Sequence, residues 1–172
     1  MDDFLKLARD RFAVRSFKSD AVEEEKLDAI LEAARLAPTA CNNQPQKIFV
    51  VKSPEMREAL ASVCPCTFNA PVIFVVGYDV SRSAKGMVHP THDFGDTDAA
   101  IVCTHMMLEA KDLGLGSCWV GYFSDEKVRS VLGIDDGIRI RDLLPVGYPA
   151  DDAVPAPKHL ESRELSDMVT VL

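Results

Sequence analysis

The sequence predicts an α+β or α/β fold built around one long apolar helix. Apolar, β-branched runs such as Val72 to Tyr78 are typical of strands. Other stretches repeat apolar residues every three or four positions, which is typical of helices. Between Asp96 and Leu113 apolar residues occupy nearly every side of a helix, so other elements must cover it. Because 172 residues suit one domain with its own core, we predict a single domain over residues 1–172.

Two helices are predicted ahead of the first strand. Residues 4–13 place apolar side chains at helical spacing. Asp20 and Glu23 form a capping-box pattern before a second periodic stretch. Pro38 is expected to end that second helix, because proline disfavours helical backbone in the residue before it.

Strands and helices alternate through the rest of the chain. Apolar runs predict strands at 47–51, 72–78, 117–122 and 140–148, the first of them buried. Helical patterns predict helices at 54–63, 96–113 and 124–132. Gly114 is expected to stop the long helix, and Ser124 is expected to cap the last one. Residues 79–95 show no clear period and are expected to form a loop.

The C-terminal residues are predicted to form an arm. Residues 149–159 contain three prolines among small residues and are expected to be extended. Leu165 to Leu172 is amphipathic and needs a surface to dock on. Together with the long apolar helix, this arm favours dimerisation.

Composition and charge exclude several classes of protein. The net charge of -8 and a pI of about 4.9 argue against general binding to nucleic acids or anionic membranes. No apolar run reaches the roughly 18 residues that a membrane span needs. The acidic start of the chain is unlike a secretory signal. We therefore expect a cytoplasmic protein whose five cysteines are reduced and are buried or half-buried.

A cluster of arginines near the N-terminus has two interpretations. Arg9, Arg11 and Arg15 fall within seven residues of an otherwise acidic chain. They could form a solvated helix face paired with Asp10, which is the favoured interpretation of such a cluster taken alone. They could instead form an anion site, because guanidinium groups match phosphate with two parallel hydrogen bonds. The cluster by itself leaves both interpretations open.

Several segments, in order, resemble the FMN-dependent nitroreductase family. They include RFAVRSF from residue 11, PTACNNQP from residue 38, the stretch 70–98, LGLGSCWVG from residue 113 and GYP from residue 147. The resemblance covers nearly the whole chain. It implies an α+β fold with a mixed central sheet flanked by helices. It also implies a homodimer in which the C-terminal extension, residues 149–172, embraces the other subunit by arm exchange.

The resemblance further implies that FMN binds at the dimer interface. The expected cofactor-binding residues are Arg11, Phe12, Ala13, Arg15, Pro38, Thr39, Ala40, Asn42, Gln44, Cys118, Trp119, Val120, Gly121, Lys158 and Arg163. The cations would meet the phosphate or the ring's pyrimidine edge, and the amides would come from the other subunit. The backbone of residues 118–121 would line the ring. The side chain of Trp119 is expected to lie in the core.

Some positions depart from the family pattern. Phe12 and Ala13 stand where an arginine and a serine are common, and the serine hydroxyl helps to hold the phosphate in that family. Gln46 stands where tryptophan is usual. Near the C-terminus Glu161 occupies the expected lysine position, for which Lys158 is a substitute.

The activity that the resemblance implies is electron transfer from NADH or NADPH to a small acceptor, such as a nitro compound or a quinone, by a ping-pong mechanism. No catalytic side chain is expected, because the flavin carries the chemistry and water can supply protons. Two alternatives remain open. One is another flavin reaction on the same fold, such as oxidation, ene reduction or dehalogenation. The other is an FMN-binding sensor or carrier without efficient turnover.

No metal site is expected. His89, His92, Asp93 and His105 are the nearest to a ligand set, but they divide between a loop and a buried helix. The loop 79–95 is instead expected to be a lid over the flavin that selects the substrate. No glycine-rich dinucleotide motif is present, as expected if the nicotinamide only stacks transiently on the flavin.

Overall fold

The computed structural model describes residues 3–86 and 91–172. The helices are α1 (Asp3–Asp10), α2 (Glu24–Leu36), α3 (Pro54–Val63), α4 (Gly95–Asp112) and α5 (Asp125–Leu132). The strands are β1 (Gln46–Val51), β2 (Val72–Asp79), β3 (Gly116–Ser117) and β4 (Ile138–Gly147). Each predicted helix and strand is therefore present, most of them within three residues of the predicted ends.

The four strands form one antiparallel sheet in the order β1-β2-β4-β3. Val51 at the end of β1 pairs with Ile73 at the start of β2, so the connection through α3 leaves and returns at the same end of the sheet. A connection that returns at the same end of the sheet makes the two strands antiparallel. The predicted mixed sheet is therefore wrong, because all neighbouring strands of this sheet are antiparallel. Among the described residues, the single parallel pairing is a bridge between Ala13 and Ser117.

The central strand β2 explains the layered core. Phe74 and Val76 pack on the α2 and α4 side of the sheet, whereas Ile73 and Val75 pack on the opposite side. All four side chains are almost fully buried. A strand that is covered on both faces has an uninterrupted apolar sequence, and β2 has this pattern.

The long helix α4 is buried along one side and half-open along another. Its fully buried residues include Ala99, Val102, Cys103, Met106 and Ala110. Its half-buried residues include Ile101, Thr104, His105, Met107 and Leu108. In the part of the chain that the structure describes, no helix, α4 included, has the length and apolar content to cross a membrane.

The predicted capping box of α2 is wrong. The helix begins at Glu24, and Glu23 occupies its N-cap position without a side-chain cap. The carboxylate of Glu23 instead accepts a hydrogen bond from the Tyr148 hydroxyl at 2.8 Å. A contact with a residue far away in sequence therefore replaces the local cap.

Two strand predictions need correction as well. The strand predicted at 117–122 is regular only over Gly116–Ser117, followed by a single bridge between Val120 and Leu143. The first strand was predicted to be buried, but Val51 is its only buried residue. The cause is its position at the edge of the sheet, where one side of the strand has no neighbouring strand.

The cysteines are all free, and most are shielded. Cys64, Cys103 and Cys118 are buried and Cys66 is half-buried, as expected. Cys41 is exposed, which contradicts the expectation for that residue. The reason is that Cys41 lies in a loop at the surface rather than on an element that faces the core.

Beyond β4 the chain becomes an exposed arm. Its start is fixed to the N-terminal segment, because Phe17 bridges Pro149 and the backbone N–H of Lys18 donates to Tyr148 O at 2.9 Å. Short 3-10 turns follow at Pro157–Leu160 and Leu165–Asp167. Every residue from 160 to 172 is exposed, including several apolar ones.

The N-terminus of α5 provides a test of local stability. The Ser124 hydroxyl accepts a hydrogen bond from the Lys127 backbone N–H at 3.4 Å, as a helix cap does. We expect Ser124→Ala to lower the free energy of unfolding by about 1 kcal/mol. Urea unfolding at one fixed protein concentration measures the loss. Ser130→Ala, an exposed serine at the other end of α5, is the matched control, and equal losses in the two variants would contradict the cap.

Candidate functional site

The predicted site residues form two groups. The first, the cationic wall, comprises residues 11–15 and 118–121 and lies beside strand β3. The second, the amide loop, comprises residues 38–44 and leads into strand β1. The two groups are built by different contacts.

The cationic wall depends on a close approach between two backbone segments. Val14 donates its backbone N–H to Ser117 O at 2.9 Å. Gly116 permits this approach, because a Cβ atom there would lie 2.7 Å from a methyl carbon of Val14. The approach brings the backbone of residues 11–15 next to that of residues 117–118.

The two arginines of the wall have no carboxylate partner in the part of the chain that the structure describes. Across residues 3–86 and 91–172, neither Arg11 nor Arg15 forms a salt bridge, whereas Asp10 pairs with Lys6. Both arginines follow the last residue of α1, so they do not belong to a helix face paired with Asp10. In a chain of net charge -8 they form a local positive surface that suits an anion.

The same two arginine charges act on the pKa of the Cys118 thiol. Burial raises the pKa of Cys118, and the charges of Arg15 and Arg11 oppose this rise. Both guanidinium groups are therefore close enough to residue 118 to act on it. An anion or an electron-rich ring next to residues 118–121 would be stabilised by the same two charges.

Residues 118–121 are attached firmly to the sheet. Val120 and Leu143 exchange two backbone hydrogen bonds of 2.9 Å. Cys118 and Val120 are buried, but Trp119 is 36% exposed, so its predicted core position is wrong. Its indole N–H donates to the carboxylate of the buried Asp142 at 2.6 Å, which fixes the nitrogen edge of the ring and leaves the rest of the indole exposed. Gly121 is exposed, and a Cβ added there would meet no atom of the described residues within 4 Å.

The amide loop is attached to the first turns of α4. The backbone N–H of Ala40 donates to the carboxylate of Asp98 at 2.8 Å, and the N–H of Gln44 donates to the Thr39 hydroxyl at 3.0 Å. Asp98 is almost fully buried, and this burial raises the pKa of its carboxyl group. Pro38 is exposed at the start of the loop.

The backbone of the amide loop is strained. Cys41, Asn42 and Gln44 have φ angles of 55°, 52° and 49°, a left-handed region that residues other than glycine rarely adopt. All three side chains are exposed, and the Gln44 amide donates to the Asn42 side chain at 3.2 Å. Strained backbone concentrates at ligand sites, where the surrounding structure holds it in place.

A single chain does not bring the two groups together. The cationic wall continues from β3 and the amide loop leads into β1, and these strands are the two outer strands of the sheet. Three strand spacings separate them, which is about 14 Å. The two groups also lie near opposite ends of α4. The amide loop contacts Asp98 in the first turn of this helix, whereas Gly116 follows its last turn.

The two C-terminal cations differ in their surroundings. Arg163 donates to the backbone oxygen of Asp167 at 2.9 Å, a contact within the arm itself. Lys158 is exposed in the turn Pro157–Leu160. The next residue, His159, packs edge-on against Phe12 with ring centroids 6.2 Å apart, so this turn lies beside the cationic wall.

The loop 79–95 is described in part. Lys85 pairs with Asp93 at 2.6 Å, which closes the base of the loop. Residues 87–90 lie outside the described residues, and with them His89 and the middle of the predicted lid. Elsewhere in the described chain, no group of three or more His, Cys, Asp or Glu residues is arranged to hold a metal ion.

Comparison with known proteins identifies the family. The sequence profile of the nitroreductase family matches residues 8–67 and 64–148, which together span most of the chain. The chain belongs to the nitroreductase family. Its fold agrees, because a nitroreductase family protein from Clostridium difficile 630 superposes with a TM-score of 0.90 at 32% identity, covering 97% of this chain and 96% of that one.

Two further relatives carry functional names. A protein of Archaeoglobus fulgidus, whose name joins NADH dehydrogenase with NAD(P)H nitroreductase, is 31% identical over 161 residues, 88% of each chain. A structure described as an FMN-dependent nitroreductase from Clostridium difficile R20291 superposes with a TM-score of 0.77 at 28% identity. That match covers 88% of this chain and 90% of the other.

This family member has two buried acids that the sequence analysis did not single out. Asp98 anchors the amide loop, and Asp142 holds the Trp119 indole. Each has one carboxylate oxygen without a hydrogen-bond partner among the described residues. The sequence offered no specific signal for either acid, because Asp96 lies two residues before Asp98 and Arg141 directly precedes Asp142.

Proposed function

We propose that the chain is an FMN-dependent NAD(P)H oxidoreductase that passes electrons to a small acceptor such as a nitro compound or a quinone. The observation that carries the proposal is the pair Arg11 and Arg15, neither of which forms a salt bridge among the described residues, beside a fixed backbone segment with open space at Gly121. The names of the family relatives support the same cofactor and the same electron donors.

The residues present fit the chemistry of FMN. The cofactor has a phosphate dianion, a polar ribityl chain and a flat ring, and so needs cations, amides and a wall. Arg11 binds the phosphate or the ribityl oxygens, and Arg15 binds the phosphate or the pyrimidine edge. Phe12 and Ala13 belong to the backbone segment that joins the two arginines and lines the site. Lys158 is the preferred C-terminal cation, because its turn lies beside Phe12, and Arg163 is the second candidate.

The ring-binding part of the proposal uses backbone rather than side chains. Residues 118–121 are fixed by the hydrogen bonds between Val120 and Leu143, so N–H groups there are held in place for a ring. When bound, FMN supplies two-electron chemistry that alternates between a nicotinamide and the acceptor in a ping-pong cycle. The chain's own residues bind and orient, and none is assigned as an acid or base.

The proposed active unit is a homodimer of single-domain chains. The amide loop residues Pro38, Thr39, Ala40, Asn42 and Gln44 reach the cationic wall of the other subunit. The half-open side of α4 and the exposed arm 149–172 provide apolar surface for that contact. The arm embraces the partner as a C-terminal extension of a domain formed by residues 1–172. Five free cysteines suit a reducing compartment, and we place the protein in the cytoplasm.

Two measurements test this function. The protein soaked in FMN and desalted is expected to stay yellow, with a visible flavin spectrum. Anaerobic NADH or NADPH is then expected to bleach it, and nitro compounds and quinones to restore the colour. A colourless protein would refute the FMN site. A yellow protein that neither nicotinamide bleaches would favour a sensor or carrier, and restoration only by enones or halogenated substrates would favour the other flavin reactions.

A further inference from the structure

The only tryptophan of the chain is exposed where its neighbours are buried. Trp119 is 36% exposed, whereas Cys118 and Val120 are 4% and 5% exposed. Those two neighbours belong to the core cluster beneath α3 and α5, so Trp119 turns to the other side of the segment. An aromatic ring of this size exposes a large apolar surface unless something planar or apolar covers it.

A buried carboxylate fixes the direction of the ring. Asp142 is 2% exposed, and its Oδ1 accepts from the Trp119 Nε1–H at 2.6 Å. Its Oδ2 has no hydrogen-bond partner among the described residues. Burying a carboxylate is costly unless it is hydrogen-bonded, and here the side-chain bond is to the indole. The nitrogen edge of the ring is therefore held inward, and the exposed area belongs to the remainder of the indole.

The exposed ring belongs to the segment that forms one half of the cationic wall. Trp119 is the exposed residue between the buried Cys118 and Val120, and its side chain lies on the opposite side of the segment from theirs. Two residues further along, Gly121 has open space where a side chain would be. The ring thus faces solvent on the segment where the proposed function places the flavin ring.

We propose that Trp119, held by Asp142, forms an aromatic wall of the acceptor pocket and favours planar aromatic acceptors over compact non-aromatic ones. This inference rests on the proposed FMN site. A flat ring gains from stacking on an indole, and an indole that is already fixed loses little freedom when it does so. Asp142 acts through Trp119 and is a positioning residue.

Tryptophan fluorescence tests the exposure directly. Because Trp119 is the only tryptophan, the emission reports on this side chain alone. In the FMN-loaded protein, acrylamide is expected to quench this emission, and saturating 4-nitrobenzoate is expected to reduce that quenching. If acrylamide does not reach Trp119 in the loaded protein, the partner subunit or the flavin covers it, and the acceptor-wall role is wrong.

Acceptor selectivity supplies the second readout. The holoprotein is reduced anaerobically, and reoxidation is followed with menadione and with ferricyanide. In Trp119→Leu the ratio of the two rate constants, menadione to ferricyanide, is expected to fall about two- to tenfold. Trp119→Phe, which keeps an aromatic ring but has no N–H to donate to Asp142, is expected to recover only part of the ratio. Rate constants that fall equally for both oxidants would assign Trp119 a purely structural role.

Asp142 is tested by a conservative pair of variants. Asp142→Asn keeps an oxygen that can accept from the indole N–H and is expected to retain the acceptor ratio. Asp142→Leu removes the acceptor and is expected to lower the ratio toward that of Trp119→Leu, and loss of the ratio in both variants would contradict the positioning role. A protein that takes up no FMN would refute the proposed function and this inference together. A protein that binds FMN and is bleached, but shows unchanged acceptor ratios, would refute this inference alone.

Discussion

Arg11→Ala is expected to weaken FMN binding about 10- to 150-fold, because removing a charge-assisted hydrogen bond costs about 1.5–3 kcal/mol. Arg11 is half-buried in the cationic wall and has no carboxylate partner in the described residues, so its charge is available to a phosphate. Its contact would also be partly shielded from water, which strengthens it. Fluorescence titration of free FMN with apoprotein measures the dissociation constant.

Two control variants separate a specific contact from a change in overall charge. Arg9→Ala removes the same charge two residues earlier, on the exposed surface of α1. Lys158→Ala removes an exposed cation from the C-terminal arm. We expect both to weaken FMN binding less than Arg11→Ala does. If all three variants lose affinity equally, the phosphate responds to net charge and not to Arg11.

Local patterns predicted most of the fold. Helix α3 and strand β2 were predicted nearly to the residue, because helix periodicity and β-branched runs are properties of short stretches. The same holds for Gly114, whose φ of 78° ends α4, and for Ser124 as a cap. The antiparallel order of the strands was not predicted, because it depends on which end of the sheet each connection returns to.

The failures share a different physical cause. Asp20 and Glu23 were predicted to form a capping box. The helix instead begins after Glu23, whose carboxylate accepts a hydrogen bond from Tyr148, 125 residues away in sequence. Trp119 was placed in the core, but it is 36% exposed, and its indole N–H is held by Asp142, 23 residues away in sequence. Hydrogen bonds between distant residues decide these positions, and no local pattern reports them. The individual site residues could be chosen through the family resemblance, whereas the separation of the amide loop from the cationic wall could be seen only in three dimensions.

That separation leads to the prediction that FMN binding and dimerisation are linked. If each flavin contacts the wall of one subunit and the amide loop of the other, only the dimer offers a complete site. FMN at a hundredfold excess over its Kd then stabilises the dimer by about 2.7 kcal/mol for each occupied site. Sedimentation velocity across a dilution series is expected to show apoprotein dissociating at higher concentrations than the FMN-loaded protein.

Mixed dimers test the shared site most sharply. One chain carries Arg11→Ala, and the other carries Asn42→Ala with Gln44→Ala. Each homodimer has two defective sites and is expected to bind FMN weakly. The purified heterodimer has one site with all three changes and one site with none, because the wall and the loop of a given site come from different chains. It is therefore expected to bind one FMN per dimer with the affinity of the unmodified protein. If both parts of the site came from the same chain, every site in the heterodimer would carry a defect and no tight binding would return. The two outcomes differ in the Kd of the tightest site by the smaller of the two homodimer defects, because the recovered site of a shared arrangement carries no change at all.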